Sequence, residues 1–223
     1  MNKIRTIYIQ FGNDLERKDI PAFRGAIVAS LRNDNLLFHN HTDSSYRYAY
    51  PLIQYKQIHK KAAIVCIGEG SKAIGEFFSS AQFDISINRR KEKLKIEDIT
   101  ANQTLVQCQE EPFTYRINHW LPLNNKNYDV YRTTKSMVER IQMLEKILTG
   151  NILSALKGIG VTINESFYCT ITNVNNLSSE YFKGIKLMSI DAEFQSCISL
   201  PEYIGLGRHA SVGFGTLTRK SSK

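Results

Sequence analysis

Residues Phe38 to Lys56 read FHNHTDSSYRYAYPLIQYK, with His39 and His41 two positions apart and Tyr46, Tyr48 and Tyr50 following at alternate positions. An imidazole has an ordinary pKa of ~6.5, so the ring can take or give a proton near neutrality. If residues 39–41 are extended, the two rings project from one side, about 6.6 Å apart, with Asn40 opposite. Two imidazoles at that spacing can bracket one phosphate, one as base and the other as acid. The same His-x-His supplies two zinc ligands, with Asp43 close behind, but His59, His119 and His209 follow with no recognisable ligand spacing. Two solvent-facing surface histidines are the third possibility, and these residues alone leave all three open.

In an extended chain Tyr46, Tyr48 and Tyr50 share one side and Arg47 takes the other. A tyrosine there can stack on an unpaired base or hydrogen-bond a phosphate, or it can belong to the core of the next strand. Arg32 and Lys56 flank the segment. They can offer positive charge to a developing oxyanion, or stand solvated at the surface.

A second feature lies near the end of the chain. GLGRHASVGFG holds Gly205, Gly207, Gly213 and Gly215 together with Arg208, His209, Ser211 and Phe214. It lacks the Gly-Lys-Ser/Thr ending of a phosphate loop, and it does not join a strand to a following helix as a dinucleotide fingerprint does. It runs instead into the last strand. Arginine and exposed amides beside glycines suit contact with a phosphate backbone. A plain β-turn with a bulge is the bland alternative.

The elements that must position these residues follow from periodicity. Ile4–Phe11 alternates as a strand. Asp19-Ile20-Pro21 then opens a helix, with Asp19 as N-cap and Phe23, Ile27, Val28 and Leu31 on one face. After the histidine loop, YPLIQYKQI and KAAIVCIG form a hairpin about HKK. GSKAIGEFFSS is a short helix, FDISINR a further strand, and RRKEKLKIED a charged, solvated stretch. The order β-α-β-β-α-β is that of a ferredoxin-like fold, two helices over a four-stranded antiparallel sheet.

Around Glu110–Pro112 the pattern restarts. FTYRINHWLPL reads as a strand and NNKNYDVYRTT as a loop. A long helix runs from about Thr134 to Lys157, with Met137, Ile141, Leu144, Leu148, Ile152 and Leu156 near helical spacing. ESFYCTITNV and GIKLMSIDAEFQ are two more strands. The expectation is an α+β chain of two tandem ferredoxin-like domains, 1–110 carrying the histidines and 111–223 carrying the glycine-rich segment. Arg132, Lys135 and Arg140 gather near the start of the long helix, where cations oppose the macrodipole, which slightly favours an anionic ligand. His119 and Trp120 sit in an apolar strand and read as core or interface.

The 223 residues carry 29 Lys and Arg against 21 Asp and Glu, a formal charge of +8. That field favours a polyanion, nucleic acid before an anionic membrane surface, although solubility alone also accounts for it. No apolar run approaches the ~20 residues of a membrane span. The N-terminus lacks the pattern of a signal peptide. Cys66, Cys108, Cys169 and Cys197 are widely spaced with no Cys-x-x-Cys, against a zinc ribbon or a dense disulfide framework. A cytoplasmic chain with reduced thiols is expected.

Taken together, GLGRHASVGFG after a ferredoxin-like order resembles the signature of the RAMP superfamily of CRISPR proteins. The histidine pair followed by SYRYAYPLIQYK resembles the N-terminal half of the CRISPR repeat-processing endoribonucleases within it. The resemblance implies two RAMP-type domains that bind precursor CRISPR RNA and cut once in each repeat. No metal or cofactor is implied. The enzyme would stay on the mature guide, and membership of a larger surveillance complex is left open. Such a cut uses the neighbouring 2′-hydroxyl as nucleophile and leaves a 2′,3′-cyclic phosphate and a 5′-hydroxyl. His39 and His41 would be base and acid, order unassigned, with Tyr48 as catalytic neighbour and Arg32 and Lys56 as charge. Gly205, Gly207, Arg208, His209, Ser211, Gly213, Phe214 and Gly215 would hold the RNA backbone, with Arg132 and Lys135 along its path. The alternatives are a RAMP-type RNA-binding subunit without catalysis and a basic nucleic-acid scaffold unrelated to CRISPR.

Overall fold

The structure, a computed structural model, describes residues 2–31, 36–39, 41–42, 45–46, 50–80 and 83–220. Its contacts divide the chain into two compact units. One comprises residues 3–104 together with Ser211–Gly213, and the other residues 1–2, 105–210 and 214–223.

In the N-terminal unit, β1 (Lys3–Asp14), β4 (Ile53–Ile58), β5 (Lys61–Ile67) and β8 (Ile96–Leu105) form one sheet in the order β4-β5-β1-β8. Helices α1 (Ile20–Ser30) and α3 (Gly70–Ser80) fall where a ferredoxin-like order puts them. Between α1 and β4 lie α2 (Leu36–His39) and a two-stranded ladder of β2 (His41–Thr42) and β3 (Ser45–Tyr46). Ile9, Phe11, Phe23, Ile27 and Phe77 fill the core. The β4–β5 hairpin turns at His59-Lys60, both at positive φ (50° and 67°), the backbone a two-residue turn between twisted strands requires.

Two expectations are corrected here. FDISINR is not the fourth strand of the sheet: β6 (Asp84–Ile87) pairs with β7 (Arg90–Lys93) in a hairpin of its own, β7 falling in the stretch read as charged and solvated. The fourth place goes to β8, whose mostly exposed edge shows no apolar alternation. Asp19 precedes α1 but its side chain does not cap it. The buried carboxylate accepts instead from Asn88 Nδ2 at 2.7 Å and Arg90 Nη2 at 3.0 Å, tying the β6–β7 turn to the start of α1.

The C-terminal unit repeats the topology. β9 (Cys108–Trp120), β10 (Thr170–Phe182), β11 (Ile185–Ile198) and β12 (Thr216–Arg219) lie in the order β10-β11-β9-β12. Residues 110 and 111, where the pattern restart was read, fall inside β9. NNKNYDVYRTT is a helix rather than a loop, α4 (Asn125–Thr133), because the Asn124 side chain accepts from the Asn127 N–H at 2.8 Å. The long helix is α5 (Met137–Ile159), capped by Ser136 and closed by Gly160 at φ 86°. Leu144, Leu148, Ile152 and Leu156 make its buried face. Where a second helix would join β11 to β12, the glycine-rich segment runs instead.

Replacing Asp19 by alanine strands the Asn88 and Arg90 donors and is expected to cost about 2 kcal/mol in urea unfolding. An unchanged midpoint would show that the β6–β7 turn is held by Ile85 and Ile87 alone.

Candidate nucleic-acid interface

The histidine segment is anchored one residue upstream. Phe38 is buried and stacks on Phe77 of α3, ring centroids 6.2 Å apart with planes 23° from parallel. Phe77 in turn meets Phe78 and Phe83 edge-on. The next residue, His39, closes α2, while His41 opens β2 with Tyr46 directly opposite. Residues 39–41 are therefore not one extended run, and the strand spacing derived for the two rings does not apply. Arg32, Asn40, Asp43 and Tyr48 lie outside the described residues.

Lys56 is fully buried on β4, opposite Ala63. Burial, and next the charge of Arg17, push its pKa down to about 7. Its neighbour Tyr55 is equally buried, its ring edge-on to Phe23 at 5.9 Å, and desolvation raises its phenol.

The glycine-rich segment supplies the edge beside them. Tyr55 N–H donates to the Ser211 carbonyl at 2.9 Å, and Tyr55 and Val212 form a parallel bridge, so Ser211–Gly213 extends the sheet past β4. Gly213 (φ 87°) sits so close to Ile20 that a Cβ would fall 2.5 Å from its Cδ1. A Cβ on Gly207 (φ 84°) would lie 2.8 Å from Asn151 Oδ1, which accepts from the buried Trp120 indole. One on Gly215 (φ 62°) would strike the Leu206 carbonyl. Gly205, Gly213, Phe214 and Gly215 are buried, and at 207, 213 and 215 the close approach that glycine permits is to the chain's own atoms.

Other members of the segment are more open. Arg208 is exposed and donates through Nη1 to the Leu123 carbonyl at 2.9 Å. His209 is half-buried against Phe182 (centroids 4.3 Å) and Phe214. Burial first, then Arg208 and Lys183, lower its pKa. Arg132 and Lys135 are exposed at the α4–α5 elbow, while Arg140 holds that elbow through the Thr134 carbonyl and the Tyr131 ring.

Sequence reasoning placed His119 in core or interface and missed its polar partners. It sits at positive φ (52°) in a bulge of β9, donates its N–H to Asp191 at 2.6 Å and holds Glu180 at 2.7 Å from Nδ1. A histidine beside apolar strand residues carries no sequence signal for that pair. Among the described residues no three His, Cys, Asp or Glu side chains form a metal-ligand group.

Two ferredoxin-like units and a glycine-rich segment ahead of the last strand define a protein of tandem ferredoxin-like type. Residues 2–105 match the Cas6b N-terminal domain and residues 107–220 the Cas6b C-terminal domain. The chain belongs to the Cas6b family. It is similar to an uncharacterised protein of Methanocaldococcus jannaschii, 32% identical over 127 residues, covering 57% of this chain and 81% of that one. A crystal structure of Cas6b superposes with TM-score 0.90 at 27% identity, covering 98% of this chain and all of the other. A crystal structure of the CRISPR RNA processing endoribonuclease Cas6b superposes with TM-score 0.74 at 25% identity, again over 98% of this chain and all of the other.

The buried lysine sets a stability trend with a definite sign. Between about pH 7 and pH 10 the unfolded chain keeps the Lys56 proton that the folded chain has shed, so stability rises with pH across that window. Lys56→Met is expected to flatten the rise and add on the order of a few kcal/mol at pH 7. Parallel wild-type and variant stability curves over that window would contradict the burial of Lys56.

Proposed function

We propose that this chain is a metal-independent endoribonuclease that binds CRISPR repeat RNA and cuts it once per repeat to make guide RNA. The observation that carries the reading is the anchored pair, His39 ending α2 and His41 opening β2 beside the buried Phe38, in a chain both of whose halves match Cas6b domains. One imidazole takes the proton from the 2′-hydroxyl next to the scissile phosphate. That oxygen attacks phosphorus, and the other ring delivers a proton to the departing 5′-oxygen. The products are a 2′,3′-cyclic phosphate and a 5′-hydroxyl, with no water consumed and no metal required by the proton balance.

Tyr48 and Arg32 support the reacting phosphate. Lys56, expected beside them as a cation, is instead fully buried on β4. The glycine-rich segment, from Gly205 to Gly215, holds the RNA backbone chiefly through Arg208, the half-buried His209 and Ser211, while Arg132 and Lys135 attract it electrostatically. The enzyme acts in the cytoplasm, keeps the mature guide after cutting, and can hand it to a surveillance complex. The second reading, an RNA-holding subunit without catalysis, predicts binding with no scission.

The direct chemical test replaces the 2′-hydroxyl at the scissile nucleotide by hydrogen. Cutting is expected to vanish while affinity for the RNA stays within about twofold, since one hydroxyl contributes little beside the phosphate contacts. Cleavage of the 2′-deoxy substrate at the same bond would rule out 2′-hydroxyl attack.

A further inference from the structure

The C-terminal unit holds a cleft of about 660 Å³ between the first turn of α4 and the β10–β11 hairpin, with Arg208 at its wall. The hairpin turns tightly at Lys183-Gly184 (φ 49° and 78°), and its register pairs Ser179 with Met188 and Tyr181 with Lys186. Alternation then puts Leu177, Ser179, Met188 and Lys186 on one face, with Tyr181 at its end. Tyr128 rises from α4 on the other side. These side chains stay open to solvent: Leu177 is 54% exposed, Tyr128 44% and Tyr181 74%.

We infer that this cleft receives one unpaired nucleotide of the bound RNA, its base against Tyr128 over the Leu177–Met188 floor and its phosphate toward Arg208 and Lys186. The inference rests on the RNA-binding reading above and names a place on the molecule that it leaves unspecified. Four observations favour a nucleotide. The volume lies within the ~300–1,000 Å³ of small-ligand sites. The lining carries two cations, Lys186 and Arg208, against one acid, Asp129, in a chain of net charge +8. An apolar floor flanked by a tyrosine suits the π-face of a base, which only a base splayed out of a helix can offer. Asn125, beside Tyr128 in the lining, brings an amide able to meet a base edge.

The test measures affinity of the full chain for single-stranded repeat RNA by fluorescence anisotropy at several salt concentrations, with sedimentation of each protein alone. Tyr128→Ala is expected to weaken binding roughly 5- to 100-fold through lost stacking, and Tyr128→Phe to restore it. Lys186→Ala is expected to weaken binding and to reduce the slope of log affinity against log salt by about one. Wild-type affinity in both Tyr128→Ala and Lys186→Ala overturns the cleft assignment and leaves the RNA-binding reading intact. A Tyr128→Ala protein that changes oligomeric state with unaltered RNA affinity marks the cleft as a protein contact and also overturns it. A wild type that binds no repeat RNA removes both readings together.

Discussion

A single backbone rung closes the sheet edge of the N-terminal unit. Tyr55 donates to the Ser211 carbonyl at 2.9 Å, and that bond lets three residues from near the end of the chain lie along β4. An open sheet edge invites pairing with other chains, and Ser211–Gly213 covers this one. Tyr55 and Lys56 are both fully buried on the strand it covers. The rung also demands glycine at 213, because Ile20 at the start of α1 occupies the space a side chain would need. The glycine-rich segment is thus a fitted part of the fold that leaves a few groups, Arg208 foremost, facing solvent.

Much of this fold was legible in the residues. The hairpin about His59-Lys60, the amphipathic face of α5 and the ferredoxin-like order all follow from periodicity and turn chemistry. What stayed hidden has physical causes. β8 is an exposed edge whose ladder bonds, not apolar alternation, keep it in the sheet, so FDISINR looked like the better fourth strand. α4 has a weakly apolar sequence and owes its start to one capping amide, Asn124. Asp19 carries the mark of an N-cap, yet Asn88 and Arg90 from a distant turn claim its carboxylate.

For the candidate site the division is sharper. Residue types announced the histidines, but not that Phe38 packs on Phe77 just ahead of them, or that a helix ends at the first of them. Nor can a lone sequence reveal that Lys56 is desolvated. A lysine on a strand reads as a surface cation until the covering segment, some 155 residues further on, is in place.

Chemistry and binding then separate along the chain. In the proposed reading, proton transfer belongs to the histidine segment of the N-terminal unit, and the open cations and rings of the C-terminal unit supply contacts to the RNA. The most direct measurement is incubation of a labelled CRISPR repeat RNA from the same genome in EDTA with wild type, His39→Ala and His41→Ala. The expected result is cleavage at one position by wild type, leaving a 2′,3′-cyclic phosphate, and a rate reduced about 100-fold or more by either substitution. Cleavage that proceeds undiminished in both variants, or that EDTA abolishes, would contradict metal-free catalysis by this histidine pair.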